Sequence, residues 1–206
     1  MNTFGQTGLR VLLSSFISFT GFFIYLIGVD FSFPSSFLLS IGTGVVTYFV
    51  IKQLQFRWWL KKQALTVKDF RYIKKNLKEA KEKIKRLQKQ QLKVRSLGAF
   101  KQVFELNRLT RRIFTIVQKQ PKRFYLAESF FFYHLDSVVE LSEKYTFLAA
   151  QPGKNKEVFL SLQQTRSTLD DLIDSLEKDL HAVLSEDMDT LKYELKFAEH
   201  HLSNKK

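Results

Sequence analysis

The stretch from Val11 to Ile51 constrains this chain most, because about forty consecutive residues there carry one charge, Asp30. Val11 to Val29 is nineteen residues without a charge, and twelve of them are Val, Leu, Ile or Phe. A hydrocarbon core of about 30 Å takes roughly 20 such residues in a helix. The second run, Ser36 to Ile51, is shorter and contains Gly42 and Gly44; Leu54 extends it, with Lys52 reaching back to the interface. Asp30 and Pro34 interrupt the pattern between the runs, and proline disfavours helix at the residue before it. The expectation is a transmembrane helical hairpin within residues 1–56, with spans of about 11–29 and 36–54. Arg10 precedes the first run, Lys52, Arg57, Lys61, Lys62 and Lys68 follow the second, and the connection has no Lys or Arg. The positive-inside rule then places the chain in the cell membrane as a two-span protein with both termini cytoplasmic.

Just past the second run stand Arg57, Trp58, Trp59, Lys61 and Lys62. Indole rings favour the headgroup region, and each Lys or Arg near an anionic surface is worth about 1 kcal/mol. These five are the candidate lipid contacts, and anionic membrane lipid is an expected partner.

Charge divides the rest of the chain. Residues 57–123 hold 22 Lys/Arg against 4 Asp/Glu, whereas residues 124–206 hold 9 against 15. A basic helical region, 57–123, packing with an acidic one, 124–206, accounts for the asymmetry. Nucleic acid is not expected as a partner, because the Lys-rich surface has little aromatic interleaving beyond Phe70 and Tyr72. No cysteine occurs, which excludes disulfides and thiolate chemistry.

From Phe70 the apolar residues run Phe70, Ile73, Leu77, Ala80, Ile84, Leu87, then Gln91 and Val94, at spacings of three and four. That is a heptad seam on a helix beginning near Thr66 or Val67. Phe70, Ile73, Leu77, Ile84, Leu87 and Val94 form the candidate partner-binding seam. It can close within one chain or between copies in a homo-oligomer.

Ser96-Leu97-Gly98 offers a break, and a second amphipathic helix follows from Phe100 to Gln120. Pro121 suits the first turn of a third helix, about 121–148, rich in Phe and Tyr. Gln151-Pro152-Gly153-Lys154-Asn155 reads as a loop, and the last helix or helix pair runs from about Glu157 to Ser203, with Ser185 to Asp189 as its expected interruption. No stretch reads as a strand pair. The fold class is therefore all-α, an N-terminal hairpin followed by a helical bundle with a coiled-coil-like basic helix.

Chemistry-bearing patterns are sparse. His134, His181, His200 and His201 do not stand at the i, i+4 spacing that a helical zinc site wants, and there is no phosphate-cradling glycine loop. Asp170-Asp171-Leu172-Ile173-Asp174 matches a DDxxD pattern that binds magnesium diphosphates, so Asp170, Asp171 and Asp174 are weak metal candidates without the second acidic motif such enzymes need. Asp187-Met188-Asp189-Thr190 is like an aspartate-nucleophile motif, but no hydrophobic strand precedes it; Asp187 and Asp189 are weak catalytic candidates. No cofactor is expected, and magnesium only for a phosphatase.

Phe130-Phe131-Phe132-Tyr133-His134-Leu135, the Leu141 to Tyr145 run, the Thr165 to Leu184 helix and Asp187 to Leu195 together resemble the bacterial family named for bromo-chloroindolyl phosphate hydrolysis, the XpaC-like proteins. The family pattern favours a proline where this chain has Asp136. The resemblance covers nearly the whole chain. It implies hydrolysis of a phosphate monoester, and partners of the toxic-anion-resistance type at the cell envelope. From the residues themselves, the expected function is a membrane-anchored cytoplasmic helical adaptor or accessory protein. A membrane-bound phosphatase and an anionic-lipid-binding protein are the alternatives.

Overall fold

The computed structural model describes residues 20, 33–94, 96–152 and 155–203, and every element among them is helical. The chain divides after Val67 into two units.

In the first unit, α1 (Phe33–Lys62) ends in a turn where Leu65 N–H donates to Leu60 O at 3.1 Å and Ala64 N–H to Lys61 O at 3.0 Å. This is a Schellman closure, and Ala64 takes the left-handed position at φ 51°. Glycine is the usual occupant there, because a Cβ is strained in that region.

The expectations of a membrane-spanning hairpin and of a two-span membrane location are corrected here. Among the described residues no helix is long and apolar enough to cross a membrane. The span expected at 36–54 falls inside α1, where Gly42, Thr43, Gly44, Thr47 and Tyr48 break up the apolar run and Lys52, Gln53, Gln55 and Arg57 follow it. The Thr47 hydroxyl turns back onto Thr43 O at 2.7 Å. The span expected at 11–29 lies, Thr20 aside, outside the described residues.

The second unit is a helical bundle. α2 (Val67–Gln91) buries Ile73, Ala80, Ile84 and Leu87, and α3 (Leu97–Lys119) buries Ala99, Val103, Leu106, Leu109, Ile113 and Val117. The buried residues of both sets stand three, four or seven apart, so each helix turns one stripe inward. Ser96 caps α3 by accepting from Ala99 N–H at 3.3 Å, which moves the expected break upstream and leaves Gly98 inside the helix. A Cβ at Gly98 would lie 2.8 Å from Arg166 Nη2. The glycine thus makes room for the Arg166 guanidinium rather than ending a helix.

The third helix departs from expectation. A 3-10 segment (Pro121–Ala127) and a π turn (Phe130–His134) precede α4 (Leu135–Ala149). Phe124, Phe130 and Phe131 are fully packed, with the Phe124 and Phe131 rings 4.7 Å apart. α5 (Lys156–Ser203) then runs unbroken along α3, α4 and the aromatic segment. Asn155 caps it through Oδ1, which accepts from Val158 N–H at 2.9 Å. The expected interruption at 185–189 is absent because the Ser185 hydroxyl donates to Ala182 O at 2.9 Å. Bonded back to its own helix, it is not capping a new one.

Candidate functional site

The expected seam turns inward. Ile73, Ile84 and Leu87 are buried, Phe70 and Leu77 half-buried, and Val94 packs beside the Ala99, Tyr145 and Leu162 cluster. A polar network locks α2 to its neighbours. Arg86 grips Glu143 with two bonds, Nε at 3.0 Å and Nη2 at 2.6 Å, and the Thr146 hydroxyl donates to Gln90 Oε1 at 2.9 Å. Hydrogen bonding from Arg86, and then its charge, holds the Glu143 carboxyl below the usual range. Lys83 reaches Asp136 at 2.5 Å. Basic α2 thus spends part of its charge on the acidic half of the chain.

Where α2 ends, the bundle is open. A groove of about 620 Å³ is lined by Gln90, Leu92, Lys93, Val94, Glu143 and Phe147, among others. Leu92 is 88% exposed and Phe147 66%. Two large apolar side chains beside a groove whose lining Glu143 is held by Arg86 make a surface suited to an apolar side chain of another molecule. Of the expected seam, Val94 alone lines this groove.

Acidic candidates sit elsewhere. Asp170, Asp171 and Asp174 are exposed on α5, and among the described residues no group of three His, Cys, Asp or Glu is arranged to hold a metal. Asp187 accepts from Arg123 Nη1 at 2.7 Å and Nη2 at 2.6 Å, and Nη1 also donates to Val183 O at 2.8 Å. Arg123 is buried, with its Nε unpartnered, and Lys122 pairs with Glu186 at 2.6 Å. The result is a clasp fastening the 3-10 segment to α5. Those hydrogen bonds, reinforced by the guanidinium charge, keep the Asp187 carboxyl below its usual range. Asp189 faces water and Lys192, 3.5 Å away. The two aspartates do not converge on one point: one is clasped, the other solvated.

His134, closing the π turn, places Nδ1 2.6 Å from Oδ2 of buried Asp179. Sequence spacing could not have found this pair, since the partners stand 45 residues apart. In the first unit, Trp58 is exposed with Lys62 Nζ 5.7 Å from its ring, while Trp59 stacks on Phe56 at 6.5 Å. Arg57 and Lys61 line a shallow groove at the end of α1 with Leu60 and Leu65.

The model of the 5-bromo-4-chloroindolyl phosphate hydrolysis protein family matches residues 8–198 of this chain. The chain belongs to that family. It is 43% identical over 187 residues to the protein XpaC of Bacillus subtilis, covering 91% of this chain and 90% of that one. No solved structure matches it.

Proposed function

We propose that this family member is a helical adaptor, an accessory protein that receives partner proteins at the open end of its bundle. The observation that carries the reading is the corner groove with Leu92 and Phe147 exposed beside it. Burying two such side chains favours association by about 1.5–3 kcal/mol each. The Arg86, Glu143, Gln90 and Thr146 network keeps the groove formed before a partner arrives, which lowers the ordering cost of binding. The family resemblance supplies the partner class, proteins of the toxic-anion-resistance type. The test is binding of such a protein from the same cell to full-length chain immobilised on a sensor. A Leu92→Asp, Phe147→Ser variant is expected to lose at least tenfold in affinity at an unchanged melting temperature. Equal affinity in the variant would sink the adaptor reading.

A second reading, phosphate monoester hydrolysis, draws on the family description and on the His134–Asp179 pair. With Asp179 accepting from Nδ1–H, the lone pair on Nε2 could attack phosphorus and expel the indoxyl oxygen; water would then cleave the phosphohistidine. The deciding measurement is turnover of the chromogenic indolyl phosphate by folded full-length protein, with and without magnesium. His134→Gln and an Asp187→Asn, Asp189→Asn double variant are run beside it. Loss of turnover in the His134 variant alone supports this reading, loss in the aspartate variant moves the chemistry to the clasp, and no turnover from folded wild type removes it.

A further inference from the structure

From Asp189 to Leu202 every residue of α5 is exposed, yet the apolar pattern does not stop there. Leu184, Met188, Leu191, Leu195, Ala198 and Leu202 follow one another at alternating spacings of four and three. That is the seam of a two-stranded coiled coil. Leu191 is 59% exposed, Leu195 53% and Leu202 71%. At about 1.5 Å per residue the arm projects roughly 22 Å beyond its last buried turn. Since it continues a helix already formed in the bundle, it meets none of the nucleation cost that leaves short isolated helices marginal.

The charges beside the seam select the occupant. Lys192 and Glu199 flank one side, and Glu194 and His201 the other. Two copies running antiparallel layer Leu195 on Ala198 and Leu191 on Leu202. Lys192 of each copy then lies across from Glu199 of the other, and Glu194 across from His201. Two copies running parallel would instead set Glu194 against Glu199, a like-charge pair. Their compensating pair would need Asp187, which Arg123 already holds. The exposed Lys192–Asp189 contact at 3.5 Å is too solvated to compete.

We propose that the C-terminal arm of α5 docks a second copy of this chain in an antiparallel two-stranded coiled coil. Such a contact is isologous and closes at two copies, so it gives a dimer and no filament. The surface lies on residues distinct from those of the corner groove, and the proposal does not depend on the adaptor reading.

The test is sedimentation velocity of the full-length chain across a hundredfold range of concentration. Wild type is expected to pass from monomer to dimer, and Leu191→Asp, Leu195→Asp to stay monomeric with the same helix content and melting temperature. Lys192→Glu and Glu199→Lys should each weaken the dimer roughly tenfold, as two attractive contacts become repulsive. Mixing these two variants should restore it, because every antiparallel contact then joins opposite charges. A wild type that stays monomeric overturns the proposal, and so does a dimer indifferent to aspartate at 191 and 195. A dimer lost in the aspartate variant but not rescued by mixing overturns the antiparallel arrangement.

Discussion

The two ends of α5 share one helix and one apolar rhythm, yet they meet different surroundings. Leu162, Leu169, Leu176 and Val183 recur every seven residues and are buried, whereas Leu191, Leu195 and Leu202, at steps of four and seven on a continuing seam, face water. Composition does not separate the two ends, since both are leucine-rich and charged. The Arg123–Asp187 clasp marks the boundary. Periodicity therefore states that a helix has a seam, while tertiary contacts decide which part of that seam the chain covers for itself.

The sharpest way to break this comparison is truncation at matched positions. Leu176→Ala should cost about 2–5 kcal/mol of stability through its cavity, against roughly 0.5 kcal/mol or less for Leu195→Ala measured on the monomer. Denaturant midpoints of the two variants settle it, and equal losses would mean that the arm is packed after all. The boundary itself comes next. Arg123→Met removes the donor to Val183 O and both bonds to Asp187, an expected loss of about 1–3 kcal/mol. A Lys122→Met change, on the exposed neighbouring pair, should be near neutral.

Acid should act on the same clasp. The Asp187 carboxyl sits below its ordinary value in the folded chain, so its contribution is fully present above the unfolded value of about 4. It is lost as pH falls through the lower, folded value. Urea midpoints collected from pH 6 downward should therefore fall more gently for Asp187→Asn than for wild type, with Glu143 supplying part of the remaining slope. The smallest expected effect lies in the first unit. Ala64→Gly relieves the left-handed residue that closes α1 and should stabilise that turn by up to about 1 kcal/mol, read as slower amide exchange at Leu65.

Much of the bundle was legible in the sequence because its helices each bury a single stripe. The alternation of Ile73, Leu77, Ala80, Ile84 and Leu87 placed α2 and its start near Val67, although the expected seam ran on to Val94, past the helix end at Gln91. What escaped depends on partners distant in the chain. Gln90 and Thr146 are 56 residues apart, and Arg123 and Asp187 are 64 apart. Hence Asp187 reads from sequence as a weak catalytic candidate beside Asp189, and in the fold as the acceptor of a buried guanidinium. The apolar run at 36–54 misled in another way. Counting apolar residues understated how far Gly42, Gly44, Thr43 and Thr47 dilute it, and the lysine, glutamines and arginine beyond Val50 belong to the same continuous helix.

The π turn has a consequence for how α4 is aimed. Leu135 N–H donates to Phe130 O, one residue farther back than in an α-helix, so a single residue is added to that turn. Each added residue retards the angular phase of all that follows by about 100°. Phe130 and Phe131 can both point inward ahead of the slip, and Leu135, Val138 and Val139 still fall on the buried side after it. The turn works like an offset coupling on a shaft: deleting Phe132 would convert it to an ordinary α turn with Glu143 and Thr146 still facing α2, whereas deleting one residue within α4 ahead of Glu143 would rotate both away.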